Sequence, residues 1–342
     1  MKGPELEHLW VRAPNWVGDL VMATPMLEAL VASPRFGRVS IGIRRHLVDV
    51  LGGLPLARSI EAFDSKQSEI QRIQDLRPDG ALLLTNSFGA AWRVWRAGVP
   101  QRFGTALSGR GWFLTHRLVP PAIEGRRMPI PTAHLLRDVC GLVGVTVPDL
   151  HPRLMAEPTV RRQARALLPE VDARYVLCAP GAAFGAAKLW SPERFAHVLD
   201  RLYDETGRVG VVTGAPSETE QIRAVARRCV HPVVSLEDAD RDLALLRGLV
   251  AEADLLVVGD SGPRWFAAAF DVPCVSVMGP NFPELTASSL ELAKVVRKTD
   301  LECSPCLERK CPLGHHRCME DITVDEVVRA AHEVLARREV FA

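Results

Sequence analysis

Short apolar runs alternate with amphipathic stretches along this chain, and turn residues stand between them. That alternation predicts βα units built around parallel sheets. In the first half, His8–Ala13 reads as a strand, Pro14–Gly18 as a loop and about Asp19 to Ala32 as a helix. Val39–Ile43 and Gly80–Thr85 read as further strands, and Phe88–Ala97 and Pro131–Val143 as helices. Thr146–Pro158 holds Pro148, Pro152 and Pro158 with little regular spacing, so it reads as a connection between domains.

The second half restarts the alternation. Tyr175–Ala179, Val209–Thr213, Asp254–Val258 and Pro273–Met278 are the expected strands. Pro192–Thr206, Ser217–Arg228, Leu243–Ala253 and Gly262–Phe270 are the expected helices between and beside them. Ser191 with Pro192 is an N-cap followed by proline at the first helical position. Thr323–Arg338 is a terminal helix whose Thr323 and Glu326 have capping-box spacing. The expected architecture is α/β, with domains over residues 1–158 and 159–342 and a terminal helix free to pack back on the first.

Composition adds limits. The chain has 342 residues, 42 basic and 41 acidic side chains and a net charge of +1. Either half is long enough for its own core. The near-neutral total argues against a general nucleic-acid binder but not against a local basic face. No apolar run approaches the ~18 residues of a membrane helix. The first residues lack a signal-like apolar core, so a cytoplasmic protein is expected. Only six of the basic residues are lysines, which makes a lysine inside a loop conspicuous.

Ligands of open parallel sheets bind beyond the carboxyl ends of the strands. Four loops, a cysteine cluster and one arginine-rich stretch therefore hold the candidate chemistry. Ala13–Asp19 follows the first strand. Gly18 permits close backbone approach, and Asp19 sits where a helix-capping carboxylate is the more ordinary reading. Ala179–Trp190 is rich in small residues that can close on an anion, with Lys188 as a point charge; a solvated lysine is the plainer reading. Neither loop carries G-x-G-x-x-G or G-K-[ST]. Gly214–Glu218 offers a carboxylate at the height that holds ribose hydroxyls, or simply a helix start. In Gly259–Trp265, Ser261 and Gly262 can present amides to a phosphate, with Asp260 orienting the loop.

Cys303, Cys306, Cys311 and Cys318 have the spacing C-x2-C-x4-C-x6-C. Four thiolates suit zinc, but this is not a standard ribbon spacing. Trp92–Arg127 holds arginines 93, 96, 102, 110, 117, 126 and 127, three tryptophans and one acid, Glu124. This reads as a basic, aromatic face suited to an anionic ligand.

Taken in order, N-W-V-G-D-L-V-M-A-T-P at Asn15–Pro25, G-A-A-F-G-A-A-K-L-W at Gly181–Trp190 and G-D-S-G-P-R at Gly259–Arg264 resemble the ADP-heptose:lipopolysaccharide heptosyltransferases, glycosyltransferase family 9. The tail Cys303–Met319 and D-I-T at Asp321–Thr323 resemble the heptosyltransferase II branch. The resemblance implies the GT-B fold, two Rossmann-like domains with a cleft between them. It implies heptose transfer with inversion from ADP-heptose to inner-core lipopolysaccharide. Asp19 would be the general base, and Lys188 would neutralise the departing ADP. Gly181, Glu218, Asp260, Ser261 and Gly262 would line the donor site. Trp16, Arg93, Arg96 and Arg110 would meet an anionic lipid-linked acceptor at the membrane surface.

No metal or other cofactor is required on this reading, structural zinc at the cysteines is not favoured, and a monomer is expected. Two departures stand out. Trp265 occupies the usual histidine position, and Asn281–Ser288 lacks the usual G-P-T. The alternatives are a non-catalytic ADP-binding protein, a transferase for another cell-surface glycan, or an oxidoreductase, the last opposed by the missing glycine fingerprint.

Overall fold

A computed structural model describes residues 5–123, 126–168 and 174–341. Contacts divide the chain into two units. One runs to Met155 and takes in Glu284–Ser288; the other comprises Ala156–Pro283 and the residues from Ser289 on.

The first unit opens with β1 (His8–Arg12), whose five residues are all buried. A central parallel strand is covered on both faces, so its sequence H-L-W-V-R lacks the alternation of a half-exposed strand. Helices α1 (Val17–Met22) and α2 (Thr24–Ala32) follow. They replace the single helix expected there, because Pro25 has no N–H for the preceding turn and Ala23 breaks the run. Then come β2 (Arg38–Arg44), β3 (Ile60–Phe63), α3 (Lys66–Leu76), β4 (Gly80–Leu83), α4 (Phe88–Arg96), β5 (Gln101–Thr105) and β6 (His116–Leu118). A small antiparallel pair, β7 (Ala122–Ile123) with β8 (Arg126–Arg127), precedes α5 (Thr132–Gly141).

The six-stranded sheet has the order β3-β2-β1-β4-β5-β6, and all its pairings are parallel. Trp10 lies across Gly42 of β2, where a Cβ would stand 2.0 Å from the indole. That glycine makes room for the largest side chain of the core.

The second unit begins with α6 (Pro158–Ala166), which starts where the proline-rich connection ends. Pro158 at the first turn opens this helix rather than preventing it. The succession continues through β9 (Tyr175–Ala179), α7 (Pro192–Thr206), β10 (Val209–Val212), α8 (Thr219–Ala226), β11 (Val233–Ser235), α9 (Leu243–Glu252) and β12 (Leu255–Gly259). It closes with α10 (Pro263–Ala269), β13 (Cys274–Val277), β14 (Ala293–Val296), α11 (Arg317–Glu320) and α12 (Val324–Phe341).

Its sheet order is β11-β10-β9-β12-β13-β14, the same permutation as the first. That is the order of a Rossmann-type sheet, with switch points between β1 and β4 and between β9 and β12. The core joins Val176, Cys178, Val257 and Val275 to Phe195 and Leu199 of α7 and to Val327, Ala331 and Val334 of α12. The terminal helix thus packs on the second unit's own sheet, and the expected capping box of Thr323 and Glu326 forms at its start. Among the described residues no helix is long and apolar enough to cross a membrane.

Candidate active-site loops

The loop after β1 is held from beneath by buried charge. Arg12 ends the strand with no exposure, and its Nε lies 2.8 Å from Glu69 of α3. Arg93 of α4 takes the other oxygen of Glu69 at 2.5 Å. Arg12 also donates to Ala13 O and, at 2.6 Å, to Asn15 Oδ1, and Asn15 donates to Thr85 Oγ1 at 3.1 Å. Burial pulls the Arg12 pKa down while Glu69 opposes it. A carboxylate between two guanidiniums lets three charges sit inside, because each is paired and hydrogen-bonded. The network fixes Ala13 and Asn15, and hence the path of the chain into α1.

Asp19 sits in the first turn of α1, and no side chain caps that helix. Its carboxylate is half-buried and has no hydrogen-bond or ion partner among the described residues. Desolvation pushes its pKa up to about 6. The capping role that sequence allowed is therefore not the one it plays. Beside it, Trp16 is 54% exposed.

The other first-unit candidates divide. Arg96 is exposed. Arg93 and Arg110 are not ligand-facing: Arg93 is consumed by Glu69, and Arg110 donates to Thr85 O, Thr105 O and Asn86 Oδ1. Burial lowers the Arg110 pKa to about 10. Arg102 likewise spends its guanidinium on the carbonyls of Val99, Pro100 and Phe113. The expected arginine-rich face is thus in part an internal brace, because loop carbonyls between βα units need donors. Glu124 lies outside the described residues, as do the side chains of Arg126 and Arg127.

In the second unit, four loops converge at the carboxyl ends of the strands. Gly181 follows β9, and a Cβ there would stand 2.0 Å from the Glu218 carboxyl carbon. Glu218 folds back over it, accepts from the Ala215 amide at 2.8 Å, and has a pKa raised by burial. A Cβ on Gly259, at the end of β12, would stand 3.6 Å from Gly181 O. Lys188 meets Asp260 at 2.5 Å and lies over the Phe184 ring at 4.7 Å. Ser261 and Gly262 are half-buried at the start of α10. The six expected donor residues are therefore brought together. Trp265, by contrast, is buried, with the Arg264 guanidinium 4.5 Å from its ring centre.

Sequence reasoning missed what supports these loops. Arg309 packs its guanidinium 5.1 Å from the Phe184 ring, opposite in sequence to Lys188 but on the same aromatic side chain. Its carbonyl accepts from the Ala187 amide at 3.1 Å, and a His316 ring nitrogen bonds Ala187 O at 2.8 Å. A Cβ on Gly185 would stand 2.6 Å from Arg309 O. The cysteine-bearing tail thus buttresses the Lys188 loop.

Cys303, Cys306, Cys311 and Cys318 line one small pocket with Ala187 and His316. All four are free thiols. The His316 amide, with others of its turn, pulls the Cys311 pKa down, and burial pushes Cys318 up to about 11. Among the described residues no three His, Cys, Asp or Glu side chains are arranged to hold a metal ion.

Comparison with known proteins bears on the family and the fold. The model for glycosyltransferase family 9 (heptosyltransferase) matches residues 68–317. Lipooligosaccharide heptosyltransferase 2 of Campylobacter jejuni serotype O:6 is 28% identical over 326 residues, covering 94% of this chain and 96% of that protein. Among solved structures, a glycosyl transferase family 9 protein from Veillonella parvula superposes with a TM-score of 0.79 at 21% identity, covering 98% and 99% of the two chains. The ADP-heptose lps heptosyltransferase II of E. coli superposes with a TM-score of 0.74 at 22% identity, covering 97% and 99%. These two likenesses show the fold, that of the GT-B heptosyltransferases.

Proposed function

Because this chain belongs to glycosyltransferase family 9, the heptosyltransferases, we propose that it moves heptose, with inversion, from ADP-heptose to an inner-core lipopolysaccharide acceptor. The first unit would take the acceptor and the second the nucleotide sugar. The observation that carries the proposal is the state of Asp19. A half-buried, unpartnered carboxylate with its pKa raised to about 6 is still ionised at neutral pH and more basic than an ordinary aspartate.

The chemistry follows from that. An acceptor hydroxyl hydrogen-bonded to Asp19 gives up its proton as its oxygen attacks the anomeric carbon. The bond from that carbon to the ADP oxygen breaks on the opposite face, which inverts the centre. ADP leaves with added negative charge. Lys188, released from Asp260 by the incoming phosphates, and the amides of Ser261 and Gly262 are suited to that charge. Glu218 is suited to the ribose hydroxyls. Of the acceptor residues read from sequence, Trp16 and Arg96 keep that role in the proposal, since both are exposed.

The test is transfer of heptose from ADP-heptose to a Kdo–lipid A acceptor, followed by mass spectrometry. The proposal expects product from the native chain and at least a ~100-fold loss in Asp19→Asn with ADP binding unchanged. Undiminished turnover in that variant would remove Asp19 as the base.

Trp265 supports a second reading, a binding protein without turnover. Nucleotide binding with no transfer, and transfer regained in Trp265→His, is the outcome that favours it.

A further inference from the structure

The first unit carries a surface that neither the catalytic loop nor the donor loops use. Six of the thirteen large hydrophobic side chains exposed among the described residues fall between Phe88 and Met128. Phe88, Trp92 and Trp95 follow each other at spacings of four and three along α4, so they share one face of the helix. They are 50%, 39% and 48% exposed, while Ala90, Ala91, Arg93 and Val94 of the opposite face are buried.

The aromatic face is therefore the outward one. The rings of Phe88 and Trp95 meet Phe113 at 5.3 and 5.5 Å, which ties the helix to the turn after β5. At the tip of that turn Trp112 is 93% exposed. Arg96 follows Trp95 on α4, a Cβ on Gly111 next to Trp112 would stand 3.8 Å from the Arg117 guanidinium, both arginines are exposed, and Ser87–Ile123 contains no acidic residue.

We propose that this α4–Trp112 face is a docking surface for an anionic lipid bilayer. A water-soluble surface gains nothing from four large aromatic side chains held out on ordered backbone. A bilayer interface does reward them, because an indole places its apolar body among the acyl ends and its N–H among the headgroups. The arginines without neighbouring acids select negative headgroups over neutral ones. The inference deepens the reading above, since a lipid-borne acceptor would be met where the enzyme docks. Arg96 serves both readings, while the aromatic face and the vesicle test belong to this one alone.

Vesicles without any sugar acceptor test it. The full chain is sedimented with phosphatidylethanolamine vesicles containing phosphatidylglycerol, and with phosphatidylcholine vesicles, at low and high salt. The proposal expects binding to the anionic vesicles alone, a blue shift of tryptophan emission, and release by salt. Trp95→Ala with Trp112→Ala should weaken binding about tenfold, and reversal at Arg96 or Arg117 to Glu about fivefold each.

Circular dichroism checks that the double variant is folded. If it is not, Trp112→Ala alone carries the test, since its side chain has almost no packing to lose. Vesicle binding that is absent in the native chain, or unchanged in the aromatic variants, overturns the proposal. So does a concentration-dependent dimer that Trp112→Ala dissolves, because the face would then belong to a second copy. Vesicle binding by a chain that fails the separate ADP-heptose transfer assay keeps the docking face and counts against the heptose-transfer reading.

Discussion

Asp19 is under two demands that oppose each other. Folding strips water from its carboxylate, which favours the neutral acid, while the proposed chemistry uses the ionised form. Its pKa is raised in the folded state, so its favourable contribution to stability is complete below its ordinary value of 3.8 and is lost as pH rises through about 6. Asp19→Asn should therefore melt higher than the native chain at pH 8, by about 1–2 kcal/mol after allowance for partial exposure, and at the same temperature near pH 4. Thermal melts at the two pH values check this. The native pH–rate profile should fall tenfold per unit below about pH 6.

Gly181 makes the matching statement in the second unit. Gly181→Ala would push Glu218 off its seat, and calorimetric titration should show ADP binding weakened about tenfold while the fold persists. Sequence made Asp19, Gly181 and Lys188 visible, because small and charged residues cluster at strand ends. It did not show that Arg93 and Arg110 point inward. An arginine in a loop-rich stretch looks the same on paper whether it faces a ligand or a carbonyl.

At the scale of elements, the buried charge joining β1, α3 and α4 decides how firmly the candidate catalytic loop is held. Glu69→Gln leaves two guanidiniums indoors without a counter-charge, which should destabilise the chain by about 3–5 kcal/mol in denaturant titration.

The elements themselves were legible where burial was two-sided. The apolar runs of β1, β9 and β12 announce central strands, and Pro192–Thr206 was read to the residue. β3, β11 and β14 passed unread because short outer strands such as I-E-A-F and A-K-V-V mix polar side chains into the run. The mostly polar α3 was missed for a related reason: it buries little beyond Glu69, Ile70 and Ile73. α6 goes unassigned by pattern alone, since the connection reads as ending at Pro158 and the next element as beginning at Tyr175.

At the scale of the molecule, one sheet order is used twice, and each copy puts its candidate loops at the carboxyl ends of its central strands. Hydrogen exchange with and without ADP should show new protection confined to 180–188, 214–218 and 259–262. Protection in the loop after β1 instead would misassign the nucleotide to the wrong unit.

The repeated alternation was readable in the sequence, since periodicity is local. The support of the Lys188 loop by a carbonyl more than a hundred residues later was not, since no local pattern encodes it. Distance along the chain also sets an order of events at the ribosome. Arg12 leaves the exit tunnel 57 residues before Glu69. At ordinary elongation speeds the first strand waits roughly 3–11 s for its counter-charge. Until α3 emerges, β1 holds an arginine that cannot be buried, so the strand that carries the candidate catalytic loop is among the first made and cannot be the first to settle.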